Sequence, residues 1–292
     1  LVPGPDSSIS FCYSSRIAPD APAVSKFGSV NPSNASRGLG AVHSVITVLD
    51  PETGAPRAII NGDSVTGLRT SAATTLAMQQ VAPDAAQILV VGTGAQARAH
   101  LDAFAVSHPA AACSVWGRRT SAASTVAEEH DASVADDLEA AVRAADIVVL
   151  CTSSLTPVVE DDWVIDGTTV ASVGSFAPDR VELPPSLLGR STVVVDHRPS
   201  ALTDSGPVVE ALAAGTIYPD RITDLGSLLR PSVAPHELTD ASVSSPSPSL
   251  TPHPTGIVTY LSVGVGVQDA AAAAAILAVA EEMEIGAQAD LG

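Results

Sequence analysis

The chain has 292 residues, of which 46% are hydrophobic and 16% are charged. This composition predicts a globular protein of one large or two medium domains and excludes an intrinsically disordered chain. The formal net charge of −18 argues against a nucleic-acid partner or an acidic membrane surface, because phosphate groups would repel it. The three cysteines lack metal-ligand spacing, so neither a metal site nor a disulfide framework is expected. We therefore expect a cytoplasmic protein, since no signal segment is visible either.

The first part of the chain, up to about residue 77, is rich in strand and turn residues. Residues 42–49 and 56–60 predict a β-hairpin, because two runs rich in β-branched residues flank the turn sequence at residues 50–54. Residues 66–80 then predict a helix, with Thr66 as its N-cap and small apolar residues along one face.

From about residue 86 the pattern changes to alternating strands and helices, which predicts a doubly wound parallel sheet. The predicted strands are residues 88–91, 112–116, 146–151, 169–173 and 192–196, and the predicted helices are residues 95–106, 121–129 and 138–144. Residues 230–254 are dense in serine and proline and predict an exposed loop or linker. Residues 256–267 predict a strand with a glycine-containing turn, and residues 269–284 a helix that packs near the N-terminal part.

A glycine-rich turn is the strongest local signal for a function. Residues 92–97 read Gly-Thr-Gly-Ala-Gln-Ala and fit the pattern G-x-G-x-x-A between a buried strand and a helix. Gly92 would allow the tight turn, and Gly94 would let a pyrophosphate approach the backbone. The N–H groups of Ala95 and Gln96 would then face the phosphates at the helix N-terminus. The turn predicts dinucleotide binding; the alternative is a plain tight turn.

The end of the next strand favours NADPH over NADH. Sites that prefer NAD usually place an acidic residue there for the ribose hydroxyls, whereas this chain has Arg118 and Arg119 and no acid. Two guanidinium groups would suit a 2′-phosphate, although Arg119 has a competing interpretation as a solvated loop residue.

Several runs outside the glycine turn resemble the ornithine cyclodeaminase/mu-crystallin family. They are residues 54–58, 66–73, 173–176, 182–183 and 262–264, and their order and spacing match over residues 11–284. The resemblance implies an α/β protein in which a Rossmann domain, residues 81–249, is joined to a second α/β domain. That second domain, for substrate binding and dimerisation, would be formed by both chain ends, residues 1–80 and 250–292. It also implies a homodimer and a small amino or imino acid as substrate.

The resemblance also implies the residues that meet the substrate. Lys26, the only lysine of the chain, matches the family's substrate lysine, which can bind a carboxylate or assist proton transfer. Arg69 matches its carboxylate-binding arginine, since a guanidinium grips a carboxylate through two hydrogen bonds. Both are expected to be catalytic and substrate-binding residues. His43, on a nearby strand, is a further substrate-binding candidate, although a packed sheet histidine is the commoner case. No role is transferred to Arg16, whose surroundings do not match.

Other positions are expected to contact the cofactor. Thr70 resembles the threonine that family members place close to the nicotinamide and phosphates, and its competing interpretation is ordinary helix capping. Thr152 ends a Rossmann strand, where chain atoms line the cofactor crevice. The remaining candidates, from the segments that resemble the family, are Val173, Ser175 and Ser262.

One position separates the branches of the family. Cyclodeaminases carry a catalytic aspartate where this chain has Phe176, and phenylalanine can neither accept a proton nor stabilise a cation as a carboxylate would. The resemblance therefore implies an NADPH-dependent oxidoreductase that reduces Δ1-pyrroline-2-carboxylate or Δ1-piperideine-2-carboxylate to L-proline or L-pipecolate. The alternatives are an ornithine cyclodeaminase, an alanine-type dehydrogenase, or a mu-crystallin-like protein that binds NADPH and a small ligand without turnover.

Overall fold

A computed structural model of the chain describes residues 2–5, 7–229 and 256–288. The chain divides into two compact units. The terminal unit contains residues 1–69 and 265–292, and the central unit contains residues 70–264. Both ends of the chain thus belong to one unit. The boundaries between the units lie after residues 69 and 264. The predicted domain boundaries lie after residues 80 and 249.

The terminal unit has a five-stranded sheet of order β1-β2-β3-β4-β5 in which neighbouring strands are antiparallel. Its elements are β1 (Val2–Pro3), β2 (Ile9–Ser15), β3 (Val24–Val30), β4 (Val42–Leu49), β5 (Pro56–Asn61) and the C-terminal helix α9 (Gly266–Glu282). The pairing of β4 with β5 confirms the predicted hairpin. Val24, Ile46 and Val48 from the strands pack with Ala270 and Ala273 of α9, so this helix covers one face of the sheet.

The helix after the hairpin, α1 (Gly62–Val81), begins about one turn earlier than predicted. The Oδ1 atom of Asn61 accepts hydrogen bonds from the backbone N–H groups of Asp63 and Ser64, which is how an N-cap residue satisfies the first turn. The prediction of Thr66 as the N-cap is therefore wrong. Its hydroxyl lies inside the helix and donates to the carbonyl of Gly62.

The central unit has an eight-stranded sheet of order β12-β11-β13-β10-β9-β6-β7-β8, with every strand pair parallel. Its strands are β6 (Gln87–Val91), β7 (Ala112–Trp116), β8 (Ser133–Val134), β9 (Ile147–Leu150), β10 (Thr169–Ser172), β11 (Ser191–Val195), β12 (Ile222–Asp224) and β13 (Ile257–Leu261). Its helices, besides the second part of α1, are α2 (Ala95–Ser107), α3 (Thr120–Glu129), α4 (Leu138–Ala144), α5 (Pro185–Gly189), α6 (Arg198–Asp204), α7 (Gly206–Ala213) and α8 (Leu225–Leu228). The predicted doubly wound α/β fold is confirmed.

The strand β13 corrects the predicted domain assignment. Residues 256–267 were expected to start the C-terminal part of the second domain, but β13 pairs in parallel with both β10 and β11. All five of its residues are buried, and such a continuous apolar run is typical of an inner strand of a parallel sheet. The predicted loop at residues 230–254 lies outside the described residues.

Two classes of structure are absent from the described part of the chain. None of its helices is long and apolar enough to cross a membrane. Residues 2–5, 7–229 and 256–288 also contain no group of three or more His, Cys, Asp or Glu side chains placed to hold a metal ion.

Candidate active site

Lys26 is a buried cation in the terminal unit. It lies in the middle of β3, and only 2% of its side chain is exposed. Its Nζ atom is 3.0 Å from Oδ1 of Asp269 in the first turn of α9, and it donates to the hydroxyl of Thr66 over 2.5 Å. Strand β3 and helices α1 and α9 therefore each supply one member of this cluster. An unpaired charge would be costly here, so Asp269 offsets the burial of the ammonium.

Arg69 lies beside the same carboxylate. Its Nε atom is 3.7 Å from Oδ1 of Asp269, and its Nη1 atom donates to the side-chain oxygen of Gln268 over 2.8 Å. The Nε–H group is buried and has no hydrogen-bond partner. A half-buried guanidinium with an unused donor can bind a further carboxylate. The structure thus brings Lys26 and Arg69, the two predicted substrate residues, to one acidic side chain.

Tyr13 completes this cluster. Its hydroxyl, on β2, donates to Oδ2 of Asp269 over 2.5 Å. Burial and the Asp269 carboxylate both raise the pKa of Tyr13, so the phenol keeps its proton at neutral pH. Burial lowers the pKa of Lys26, while the Asp269 carboxylate opposes that shift. Asp269 therefore holds two proton-bearing groups, and its charge favours the ammonium form of Lys26.

The structure does not bring His43 to this cluster. In the β3–β4 register Lys26 lies opposite Ile46, which is fully buried. Because side chains alternate across a strand, His43 lies on the other face of the sheet. Its ring is 48% exposed and contacts Asp63, with 2.9 Å between Nδ1 and Oδ2. The expectation that His43 binds substrate finds no support in this geometry.

The glycine turn in the central unit fits a dinucleotide phosphate. Gly92 directly follows β6 with φ of +134°, and a Cβ atom there would overlap the carbonyl oxygen of Cys151. A Cβ atom on Gly94 would meet nothing within 4 Å, so open space lies over the start of α2. The side-chain oxygen of Gln96 is buried without a hydrogen-bond partner, and Ala97 is fully buried. Tight turn, open space and a free helix N-terminus are what a bound pyrophosphate requires.

The predicted cofactor residues lie along one edge of the parallel sheet. Thr152 follows β9, Val173 and Ser175 follow β10, and Ser262 follows β13. Ser175 and Ser262 are both buried. These strands lie side by side next to β6, so their carboxyl ends and the glycine turn lie at the same end of the parallel sheet. Open α/β sheets bind ligands at the carboxyl ends of their strands.

The sequence singles out four other positions. Arg118 and Arg119 follow β7 at the same edge, and both are exposed. Thr70 is buried in α1. Phe176, at the position of the cyclodeaminase aspartate, is 37% exposed, and the guanidinium of Arg180 lies 4.9 Å from the centre of its ring. The described structure therefore has an aromatic ring, and no carboxylate, at that position.

Sequence reasoning missed Asp269 and Tyr13. Asp269 is fully buried although it begins an alanine-rich helix, and the chain separates it from Lys26 by 243 residues. A signal was present, since an acidic residue in the first turn of an alanine-rich helix needs a partner if it is buried, and the single lysine was the obvious one. Tyr13 carries no such signal in the sequence.

The sheet order and the glycine turn define this chain as a Rossmann-type α/β protein with a second, two-ended unit. The chain belongs to the ornithine cyclodeaminase/mu-crystallin family, whose model matches residues 18–284.

Two similar proteins are named as reductases of cyclic imino acids. Δ1-pyrroline-2-carboxylate reductase 1 of Burkholderia multivorans is 35% identical over 193 residues, which cover 65% of this chain and 62% of that protein. A Δ1-pyrroline-2-carboxylate/Δ1-piperideine-2-carboxylate reductase of Azospirillum brasilense is 34% identical over 194 residues, which also cover 65% and 62%. The matches thus span less than two thirds of either relative's length.

A solved structure extends the likeness in fold. Δ1-pyrroline-2-carboxylate reductase of Thermococcus litoralis, in complex with NADH and L-proline, superposes with a TM-score of 0.79. The superposition covers 97% of this chain and 90% of that chain at 23% sequence identity. The likeness in fold therefore extends over nearly all of this chain.

Proposed function

We propose that this protein is an NADPH-dependent reductase of small cyclic imino acids, giving L-proline from Δ1-pyrroline-2-carboxylate or L-pipecolate from Δ1-piperideine-2-carboxylate. The observation that carries the proposal is the pair of buried Lys26 and half-buried Arg69 beside one carboxylate, with a guanidinium Nε–H that has no hydrogen-bond partner. Two cations share one carboxylate, so the cluster has a net positive charge and an open donor for an anionic substrate. The names of the two reductases that are about one-third identical support the same substrate class.

The proposed reaction adds a hydride to the carbon of the C=N bond and a proton to its nitrogen. The bound nicotinamide would supply the hydride, and Gly92, Gly94 and Gln96 would hold the dinucleotide by its phosphates. Arg69 and Lys26 would hold the substrate carboxylate and so fix the orientation of the imine. Asp269 favours the ammonium form of Lys26 and holds it in place. Lys26 or a water molecule would give the nitrogen its proton.

The preference for NADPH rests on Arg118 and Arg119. Both guanidinium groups are exposed directly after β7, the strand next to the one that carries the glycine turn. A 2′-phosphate carries more negative charge than a ribose hydroxyl, and arginine binds phosphate through two parallel hydrogen bonds. No acidic side chain follows β7 before α3 to favour NADH instead.

The proposal is tested by mixing the protein with each cyclic ketimine and either NADPH or NADH, and following the absorbance of the reduced nicotinamide. We expect rapid loss of absorbance, faster with NADPH. Arg118→Ala should weaken NADPH binding by about tenfold, the worth of one charge-assisted hydrogen bond, and leave NADH unchanged. L-Ornithine with NAD⁺ should release no ammonia, because Phe176 replaces the carboxylate. No oxidation by a folded, dinucleotide-binding protein would contradict the reductase and favour a binding role.

We further propose that the protein is a homodimer that pairs through the outer face of the terminal sheet. Phe27, Val45 and Ile59 expose 58%, 46% and 62% of their surface on β3, β4 and β5. Phe27 lies directly opposite Val45 in the β3–β4 register, so the two form one apolar surface. Such patches mark protein contacts in soluble proteins.

Phe27→Asp is expected to convert the dimer to a monomer, because it would place a charge in the centre of the apolar face. Light scattering coupled to size-exclusion chromatography gives the mass directly. Val106→Asp is the matched control. Val106 is 83% exposed on α2, and this helix belongs to the central unit. A dimer that survives Phe27→Asp, or that Val106→Asp disrupts, would contradict the assignment of this face.

A further inference from the structure

Glu182 is a buried carboxylate in the central unit that the proposed reaction does not use. It is fully buried, and among the described residues no lysine, arginine or histidine side chain lies within salt-bridge distance of it. An acidic side chain without a cation is rare in a protein interior unless hydrogen bonds replace the cation. The hydrogen-bond donors around Glu182 therefore show which parts of the chain its carboxylate fixes in place.

Three donors reach this carboxylate from the ends of two neighbouring strands. The N–H group of Thr152, which follows β9, donates to Oε1 over 2.6 Å. The N–H group of Gly174, which follows β10, donates to Oε2 over 2.6 Å. The hydroxyl of Ser172, the last residue of β10, donates to Oε2 over 3.0 Å. One side chain thus fixes the backbone at both strand ends.

The chain is shaped to bring this carboxylate close to the backbone. A Cβ atom on Gly174 would lie 2.6 Å from the carboxyl carbon of Glu182 and would also overlap the carbonyl oxygen of Thr152. Only glycine permits this approach. The N–H group of Glu182 donates in turn to the hydroxyl oxygen of Ser175 over 3.0 Å, which anchors the acidic residue itself.

The sheet order identifies what these strand ends face. The strands β8-β7-β6-β9-β10 follow the order 3-2-1-4-5 of a dinucleotide-binding fold, and the next place in the sheet is taken by β13, which follows β11 and β12 in the chain. Such a fold consists of two mononucleotide-binding halves. The glycine turn after β6 and the arginines after β7 belong to the adenosine half. The ends of β9 and β10 belong to the other half, where the nicotinamide ring would bind.

The structure assigns Glu182 the role of a positioning residue that sets the backbone after β9 and β10 for the nicotinamide half of the dinucleotide. This inference rests on the proposed dinucleotide binding. Glu182 acts through Thr152 and Gly174, and it need not touch the cofactor. Its replacement should therefore weaken ligands that carry a nicotinamide and spare those that lack one.

Calorimetric titration of Glu182→Gln with NADPH, NADH and ADP-ribose tests the assignment. ADP-ribose retains the adenosine, both phosphates and the second ribose but has no nicotinamide. A glutamine amide can accept from only one of the two N–H groups and presents a donor to the other. We expect the affinity for NADPH and NADH to fall by about tenfold and that for ADP-ribose by less than about twofold.

Two further variants keep the test independent of folding. Ser172→Ala removes one donor with little change in volume, and it should weaken nicotinamide ligands by about threefold in the same selective way. Glu139→Gln is the matched control, since Glu139 is 49% exposed and pairs with Arg143 on α4, and it should change neither affinity. Equal losses for ADP-ribose and NADPH, or no loss for either, would overturn the assignment. Wild-type protein that binds none of the three ligands would overturn the dinucleotide site itself.

Discussion

Lys26→Ala is expected to lower kcat/KM for ketimine reduction by about a thousandfold and to leave NADPH affinity within about twofold. Removing one partner of a buried, hydrogen-bonded charge pair costs about 2–5 kcal/mol, and each 1.4 kcal/mol is a factor of about ten. The loss falls on the substrate because Lys26 belongs to the terminal unit, whereas the glycine turn belongs to the central unit. Steady-state rates with each ketimine and a separate NADPH titration measure the two quantities.

Two companion variants separate chemistry from folding. Asp269→Asn keeps the shape of the side chain and removes the charge that holds Lys26 and Tyr13, so kcat/KM should fall by about tenfold to a hundredfold. Arg57→Gln is the control, because it breaks an exposed ion pair with Glu281 between β5 and α9 of the same unit, and it should leave the rates unchanged. Full activity in Lys26→Ala, or equal losses in all three variants, would contradict the role of the cluster.

The parts of this molecule that were predictable from the sequence are those that local chemistry determines. The turn at Gly92 follows from a short apolar strand, two glycines and a helix start, all within ten residues. The β4–β5 hairpin is equally local, since its turn sequence lies between the two strands. Lys26 was singled out through the resemblance to the family, and its being the only lysine of the chain supported that choice.

Long-range pairings account for the rest. Asp269 meets Lys26 only after α9 packs on the sheet, across 243 residues of chain. The face that His43 occupies depends on the β3–β4 register, which a sequence does not fix. The strand β13 follows residues 230–254 in sequence, and only pairing with β10 and β11 assigns it to the central sheet. Thr66 was expected to be the N-cap of α1, but the side chain of Asn61 caps this helix about one turn earlier.

We expect Glu182 to make the free energy of unfolding of the protein depend strongly on pH. Burial raises the pKa of Glu182 from 4.5 to about 7, although the bonds from Thr152, Gly174 and Ser172 oppose the shift. The folded chain thus holds this proton more tightly than the unfolded chain. Its contribution to the free energy of unfolding is fully present below pH 4.5 and is lost as the pH rises through 7. The loss amounts to about 3 kcal/mol, since one pKa unit is worth about 1.4 kcal/mol.

Urea unfolding of the wild type and Glu182→Gln between pH 4.5 and 8 isolates this group, because the other acidic residues are common to both proteins. Both tryptophans, Trp116 and Trp163, lie in the central unit, so their fluorescence follows the unit that carries Glu182. Burial, and after it the Glu182 charge, raise the pKa of the Cys151 thiol, which therefore stays protonated and adds no titration in this range. We expect the stability of the wild type relative to Glu182→Gln to fall up to about pH 7 and then to level off. A difference that grows with pH would mean that the three donors stabilise the carboxylate more than water does, and that Glu182 is ionised throughout.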